Sequence, residues 1–303
     1  MRLVGPHILR CNSFRIRVSS GYESYDWICR NFQGYPIPRL VIESADGSLK
    51  QVSIPRKAEN VCLENISIPW KPSSFPKLLS LQITGLTGQS YVYPWERPSA
   101  FSAVMAVLTA CPCLQALKLD RFKDELPTYF DETLLQNERT SFPSLESLEM
   151  RGSRGDMFWQ VLDIMEFPNL SKLFIYPTHP NPSPERMTDA VCKDIGGRSL
   201  LQSIIDRANC ERLIIYIRRG PSAMIRLRGM NDTGKVIDFD PLTRDSSTNT
   251  VLKVLKAIES PVHIEISGEM DDSFIRSLRE TSMIASLYHP PHSQESGGSK
   301  VAR

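Results

Sequence analysis

The chain has 303 residues, of which 41% are hydrophobic and 23% charged, and its formal net charge is +2. A chain of that length buries roughly 75% of its unfolded surface, so a sizeable core is expected. The near balance of charge excludes a global preference for nucleic acid or acidic lipid. Seven scattered cysteines, odd in number and without a C-x-x-C pair, argue against a disulfide framework or a zinc site and place the chain in the reducing cytoplasm or nucleus. The N-terminus MRLVGPHILRCNSFRIRV lacks a long apolar stretch, and AFSAVMAVLTAC spans only about a dozen residues, so no membrane partner is expected.

In chain order, FRIRV (Phe14, Ile16, Val18), PRLVIES (Leu40, Ile42) and LKQVSIP (Val52, Ile54) read as strands. LENISI (Leu63, Ile66, Ile68) reads as a first repeat unit without a helix. Four segments then align without gaps: FPKLLSLQI (Phe75 to Ile83), CPCLQALKL (Cys111 to Leu119), FPSLESLEM (Phe142 to Met150) and FPNLSKLFI (Phe167 to Ile175). Proline has no N–H to continue a helix and pushes the preceding residue toward extended geometry, so a helix stops there. The L-x-I alternation that follows has period two, the pattern of a strand with one buried face. AFSAVMAVLTA, and MFWQVLDIM with Phe158, Val161, Leu162 and Met165 at helical spacing, are the expected preceding helices. From Leu81 through Leu117 and Leu148 to Leu173 the steps are 36, 31 and 25 residues, near the range of strand-plus-helix repeats.

Beyond Tyr176 the pattern loosens. PTHPNPSPE reads as a proline-rich loop, SLLQSIIDRA, NTVLKVLKAI and DDSFIRSL as helices, and ERLIIYI, AMIRLR, KVIDFD, VHIEIS and MIASLY as strands. The first three of these strands are spaced closely enough to pair as hairpins or to continue a parallel stack. Residues 289–303 have the composition of a disordered tail.

The repeated L-x-x-L-x-I unit resembles leucine-rich repeats, although Leu86, Phe122, Ser153 and Thr178 stand where those repeats carry Asn or Cys. The expected fold is α/β: an irregular leucine-rich-repeat-like solenoid with strands on its concave side and helices or loops on its convex side. One domain covers residues 1–288, more regular over 1–176 and irregular over 177–288. LENISIPW followed by FPKLLSLQITGL, ACPCLQALKL and FPSLESLEM is similar to the region after the F-box in divergent fungal F-box proteins. That resemblance, over roughly residues 7 to 180, implies a substrate-recognition part of an F-box type ubiquitin-ligase receptor. The chain opens at MRLVGPHILRCNSF, which resembles sequence downstream of the F-box, so the Skp adaptor is a partner only if an F-box lies upstream.

Short motifs carry little chemistry. RGSRGD (Arg151 to Asp156) and GLTGQS (Gly85 to Ser90) read as glycine-dependent turns, the latter lacking the Gly-Lys-Ser/Thr ending of a phosphate loop. The sequons at Asn65, Asn169 and Asn231 are set aside with the secretory pathway. DFD (Asp238, Asp240) and EMDD (Glu269, Asp271, Asp272) match no calcium loop and read as strand-exposed and helix-capping carboxylates. His7, His179, His263, His289 and His292 show no metal or nucleophile spacing, so no catalytic set, metal or cofactor is expected.

The expected function is noncatalytic binding of a protein ligand. Outward strand positions form three rows: Asn65, Ser80, Ala116, Ser147, Lys172; Ser67, Gln82, Lys118, Glu149, Phe174; and Pro69, Thr84, Asp120, Arg151, Tyr176. The expected contacts are Lys118, Glu149, Arg151, Phe174 and Tyr176, where two rings join three charges. The alternative is an enzyme, or a binder of acidic ligands or nucleic acid, with its site in residues 177–288. There Arg207, Arg212, Arg218, Arg219, Arg226 and Arg228 face one acid, Glu211, without interleaved aromatics, in the pattern of a solvated strand face. Mixed with purified Skp adaptor, the chain is expected to form no complex in size-exclusion chromatography. A one-to-one complex would reveal a docking helix that no segment here announces.

Overall fold

The computed structural model describes residues 11–18, 36–45, 50–51, 54–67, 75–85, 100–120, 140–152, 161–162, 165–176, 184–192, 197–218, 224–239, 248–259, 262–268 and 276. In chain order the elements are β1 (Phe14–Val18), β2 (Ile37–Ser44), β3 (Lys50–Gln51), β4 (Ala58–Glu64), β5 (Ile66–Ser67), β6 (Ser80–Thr84), α1 (Ala100–Ala110), β7 (Ala116–Asp120), β8 (Thr140–Ser141), β9 (Ser147–Arg151), β10 (Met165–Glu166) and β11 (Lys172–Tyr176). The remainder are α2 (Pro184–Cys192), α3 (Leu200–Arg207), β12 (Arg212–Arg218), β13 (Met224–Asn231), β14 (Gly234–Phe239), α4 (Thr248–Lys256) and β15 (His263–Gly268). Eleven strands make one open, mostly parallel sheet in the order β1-β2-β4-β6-β7-β9-β11-β14-β13-β12-β15, so the architecture is mixed α/β. No described helix is long and apolar enough to cross a membrane.

The recurring proline sits in the same turn each time. Leu78, Leu114, Leu145 and Leu170 donate their N–H to the carbonyls of Phe75, Cys111, Phe142 and Phe167, at 3.1 to 3.3 Å. Each turn therefore has proline at its second position, where the ring's fixed φ favours closure. The next residue bonds back to the preceding unit: Gln115 N–H to Leu79, Glu146 to Gln115 and Ser171 to Glu146, at 2.8 to 2.9 Å. The strands consequently start level and pair in register, Leu81 with Leu117, Leu117 with Leu148 and Leu148 with Leu173. Those leucines, with Ile83, Leu119, Met150 and Ile175 two residues on, are buried in one core with Val104, Val107 and Leu108 of α1.

LENISI is not the unit that precedes Phe75. The sheet pairs Val61 with Leu81 and Leu63 with Ile83, while Ile66 and Ser67 leave for a small ladder with β3. The turn before β4 is built from Pro55 to Ala58, with the Ala58 N–H on the Pro55 carbonyl at 3.2 Å and Ala58 in the place of the leucine. Asn65 instead ends the strand, at φ 52°, and the equivalent ends of β6 and β9 are Gly85 and Gly152, at φ 75° and 80°. All three N–H groups bond to the end of the next strand, at Thr84, Asp120 and Tyr176.

In the C-terminal part, the choice between hairpins and a continued sheet resolves as both. β14 lies parallel to β11, β13 runs antiparallel between β14 and β12, and β15 is parallel to β12. α2 was not anticipated: Pro184 opens a helix rather than closing a loop, the first helical turn being where a missing N–H costs nothing. α3 is capped by Ser199, whose Oγ accepts from Gln202 N–H at 3.0 Å and whose hydroxyl donates to the Ala257 carbonyl. The expected helix over MFWQVLDIM is described only at Val161 and Leu162, and Met165 has already entered a strand. DDSFIRSL is described only at Arg276, and MIASLY, the PTHPNPS stretch and residues 289–303 lie outside the described residues.

Two stability predictions follow from this packing. Leu148 is 0% exposed, so Leu148→Ala is expected to cost about 2–5 kcal/mol, and Glu149→Ala less than half that, in urea denaturation. Equal midpoints would contradict the inward and outward assignment. Gly85 sits at φ 75°, where a Cβ is strained and would displace the Asn65 carboxamide, so Gly85→Ala is expected to destabilise by ~1–3 kcal/mol. A neutral thermal shift would show that the strand ends are not rigidly stacked.

Candidate functional site

Strand alternation turns every second side chain away from the core, and the register aligns these into rows. Gln82, Lys118, Glu149 and Phe174 are successive partners, as are Ser80, Ala116, Ser147 and Lys172, in agreement with the expected order. At the N-terminal end the rows continue through Asn60, Cys62 and Glu64 rather than Asn65 and Ser67, because of the shifted unit. Pro69 lies outside the described residues. The buried apolar residues of α1 to α4 belong to the core cluster on the opposite side, whereas Val41 and Ile214, buried on this face, stand outside that cluster.

The five expected contact residues come together. Glu149 is bracketed by Lys118, at 3.1 Å from Oε1, and by Arg151 at still closer range. Glu149 Oε1 makes no well-aligned hydrogen bond, so these are charge contacts. The Arg151 guanidinium lies 4.5 Å from the centroid of the Tyr176 ring, and Phe174 stands between Glu149 and Asp238 in its row.

Asp238 is the group that local spacing placed wrongly. Instead of an exposed strand carboxylate it is 0% exposed. Arg226 donates Nε to Oδ1 at 2.7 Å and Nη2 to Oδ2 at 2.9 Å, Lys235 reaches Oδ2 at 3.1 Å, and the Tyr176 hydroxyl donates to Oδ2 at 3.0 Å. Lys235 shares Asp238's face, although three residues away, because the register with β13 shifts by one between Gly229 and Met230. Arg228 Nε stands 3.7 Å from Oδ2, with its guanidinium 5.4 Å from the Tyr216 ring.

The two surfaces that the sequence set against each other are therefore neighbours, since β14 lies beside β11 and joins Arg226 and Arg228 to Tyr176 through Asp238. Arg226 and Arg228 are half-buried, not a solvated strand face, while Arg207 and Arg212 are exposed. The side chains of Arg218 and Arg219 lie outside the described residues. Tyr216 supplies the aromatic that local spacing did not credit to this patch. Among the described residues no three His, Cys, Asp or Glu side chains gather as a metal set.

Burial alone pushes the Asp238 carboxyl up, but the hydrogen bonds from Arg226, Lys235 and Tyr176 outweigh it and hold the carboxyl below its usual value. Burial, then the charge and hydrogen bond of Asp238, push the Tyr176 phenol up to about 12. Comparisons with known proteins identify no relative: no family model, curated protein or solved structure matches the chain.

A depressed carboxyl pKa favours the folded state above the unfolded value of roughly 4, and that contribution is lost as pH falls through the lower folded value. Asp238→Asn is therefore expected to be less stable at neutral pH, with its deficit against the parent shrinking below about pH 4. Urea midpoints measured between about pH 7 and pH 2 check this; a constant deficit would remove Asp238 from the linkage.

Proposed function

We propose that the polar face of the large sheet is a noncatalytic protein-binding surface, centred on Lys118, Glu149, Arg151, Phe174 and Tyr176. The observation that carries this reading is the in-register row of charged and aromatic side chains running from β6 to β14, on the side away from the core cluster. Charges that pair with one another across strands are held in place, and a half-buried ring such as Phe174 is the type of anchor that dominates interfaces. The repeating turn and strand units support reading the fold as an irregular leucine-rich-repeat-like solenoid with this face concave. The similarity to divergent fungal F-box proteins supports a role in holding a substrate for ubiquitin transfer, with the Skp adaptor engaged only through an upstream F-box. The second reading, acidic-ligand binding by the C-terminal arginines, is favoured by one observation, the contact of Arg226 and Arg228 with the same network.

Affinity purification with mass spectrometry tests the surface. Lys118→Ala combined with Phe174→Ala leaves the Asp238 hydrogen bonds intact and is expected to reduce recovery of the principal protein partner at least tenfold, about 1.4 kcal/mol. An unchanged partner profile from a variant with the parent's circular dichroism would overturn the proposal.

A further inference from the structure

We infer that the protein ligand of this face presents a segment with closely spaced anionic side chains, whether aspartate, glutamate or phosphoserine, and that the segment seats on Arg228 and Arg212. The inference rests on the protein-binding reading of the face and names the chemistry of what binds there.

The argument begins with the acceptor capacity of Asp238. An ionised carboxylate offers about four lone-pair sites. Arg226 takes two, Lys235 a third and the Tyr176 hydroxyl a fourth. Three of these donors share Oδ2 and only Arg226 Nε reaches Oδ1, so Arg228 faces the oxygen that is already crowded. Its Nε is buried and makes no hydrogen bond, and its 3.7 Å contact with Oδ2 is too long for one. The side chain is nevertheless 24% exposed, so an anion that meets the outer part of this guanidinium offsets a charge that Asp238 satisfies only in part.

Arg212 is the second cation, beside Arg228. It is exposed, and its Nη2 rests 3.4 Å from Met230 Sδ, a weak acceptor for a strong donor. Arg228 pairs with Ile214, two residues along β12 from Arg212, so the two arginines are diagonal neighbours on one face, roughly 7–8 Å apart at the backbone. Alternate side chains of an extended peptide repeat at nearly that distance, about 6.8 Å.

The surroundings carry the same sign. On this face of β11, β14, β13 and β12 the described charged side chains are Lys172, Lys235, Arg226, Arg228 and Arg212 against one carboxylate, Asp238. Glu265, across Ile214 on the edge strand β15, is the carboxylate diagonal to Arg212 on its other side. Phe174 is two strands from Arg228, roughly 10 Å, which an extended chain covers in three residues. The fitting segment thus carries an apolar side chain about three positions from paired anionic ones.

Fluorescence anisotropy with synthetic peptides tests this. The probes are a labelled peptide with Phe followed three positions later by alternating Asp residues, its phosphoserine counterpart, its Asn counterpart, and a single-stranded oligonucleotide of matching charge. Both anionic peptides are expected to bind the parent protein with an affinity that falls as salt rises, the tighter one telling carboxylate from phosphate as the natural group. The Asn peptide is expected to bind at least tenfold more weakly. Arg212→Gln with Arg228→Gln should remove at least tenfold of the anionic affinity, Arg228→Lys less, and Arg15→Gln with Arg17→Gln on the opposite edge strand none. Arg212→Gln alone, an exposed change, should show a partial loss with unaltered thermal melting. Indifference to the arginine substitutions, equal binding of the Asn peptide, tighter binding of the oligonucleotide, or no binding of either anionic peptide would each overturn the inference. If the peptides fail while partner recovery still depends on Lys118 and Phe174, the anionic chemistry is wrong and the binding face stands. If recovery is also unaffected, the face itself is wrong.

Discussion

The hydrogen bond that closes each proline turn sets the level at which each strand begins. In a parallel sheet a slip of one residue would carry every leucine to the opposite face, so the start must be fixed. Here two bonds fix it: leucine N–H to the carbonyl before the proline, and the next N–H to the preceding unit. The loop lengths between units then cease to matter. Steps of 36, 31 and 25 residues lead into the same register, and side chains far apart in the chain fall into straight rows.

Those rows reach the C-terminal part because of a change in direction. β12 runs in the direction of β11, and the crossover between them, which such a pair of strands needs, carries α2 and α3. From β12 the chain reverses into β13 and returns as β14 parallel to β11, so the strand that carries Asp238 lands between the aromatic row of β11 and the arginines of β13. Asp238 takes its position from this order. Its nearest cationic partners in space are 12 and 3 residues away in sequence, and its tyrosine partner is 62 away.

Local signals were legible and partner choice was not. The proline joints, the strands at Phe14, Ile37 and Arg212 and helices α1, α3 and α4 stood out because turn chemistry and periodicity act within a few residues. The first unit was misplaced because PRKAENVCLE puts Ala58 where the others have leucine and starts its turn on Pro55, while LENISI mimics the leucine spacing from Leu63, five residues later than Ala58. The five expected contact residues were correctly placed on one face, since inward and outward alternation follows from period two. Asp238, Lys235 and Tyr216 were missed for another reason. A buried carboxylate in KVIDFD looks identical to an exposed one until the strands beside it are known, and the one-residue shift that brings Lys235 to its side has no local mark.

Burial of Asp238 is then an energetic choice with a consequence for recognition. Removing a carboxylate from water costs several kcal/mol, and a charge network of this kind gains little over apolar packing of the same volume. Stability alone does not account for it. What the network does fix is orientation: Arg226, Lys235 and Tyr176 each lose their freedom to a single acceptor, and Arg228 is packed over Tyr216 beside them. An arginine side chain carries about 2 kcal/mol of rotamer entropy, which an isolated surface arginine would surrender on binding. A face whose cations are ordered beforehand spares an incoming anion much of that cost, and it leaves the guanidinium that Asp238 cannot satisfy as the place where a further anion gains most.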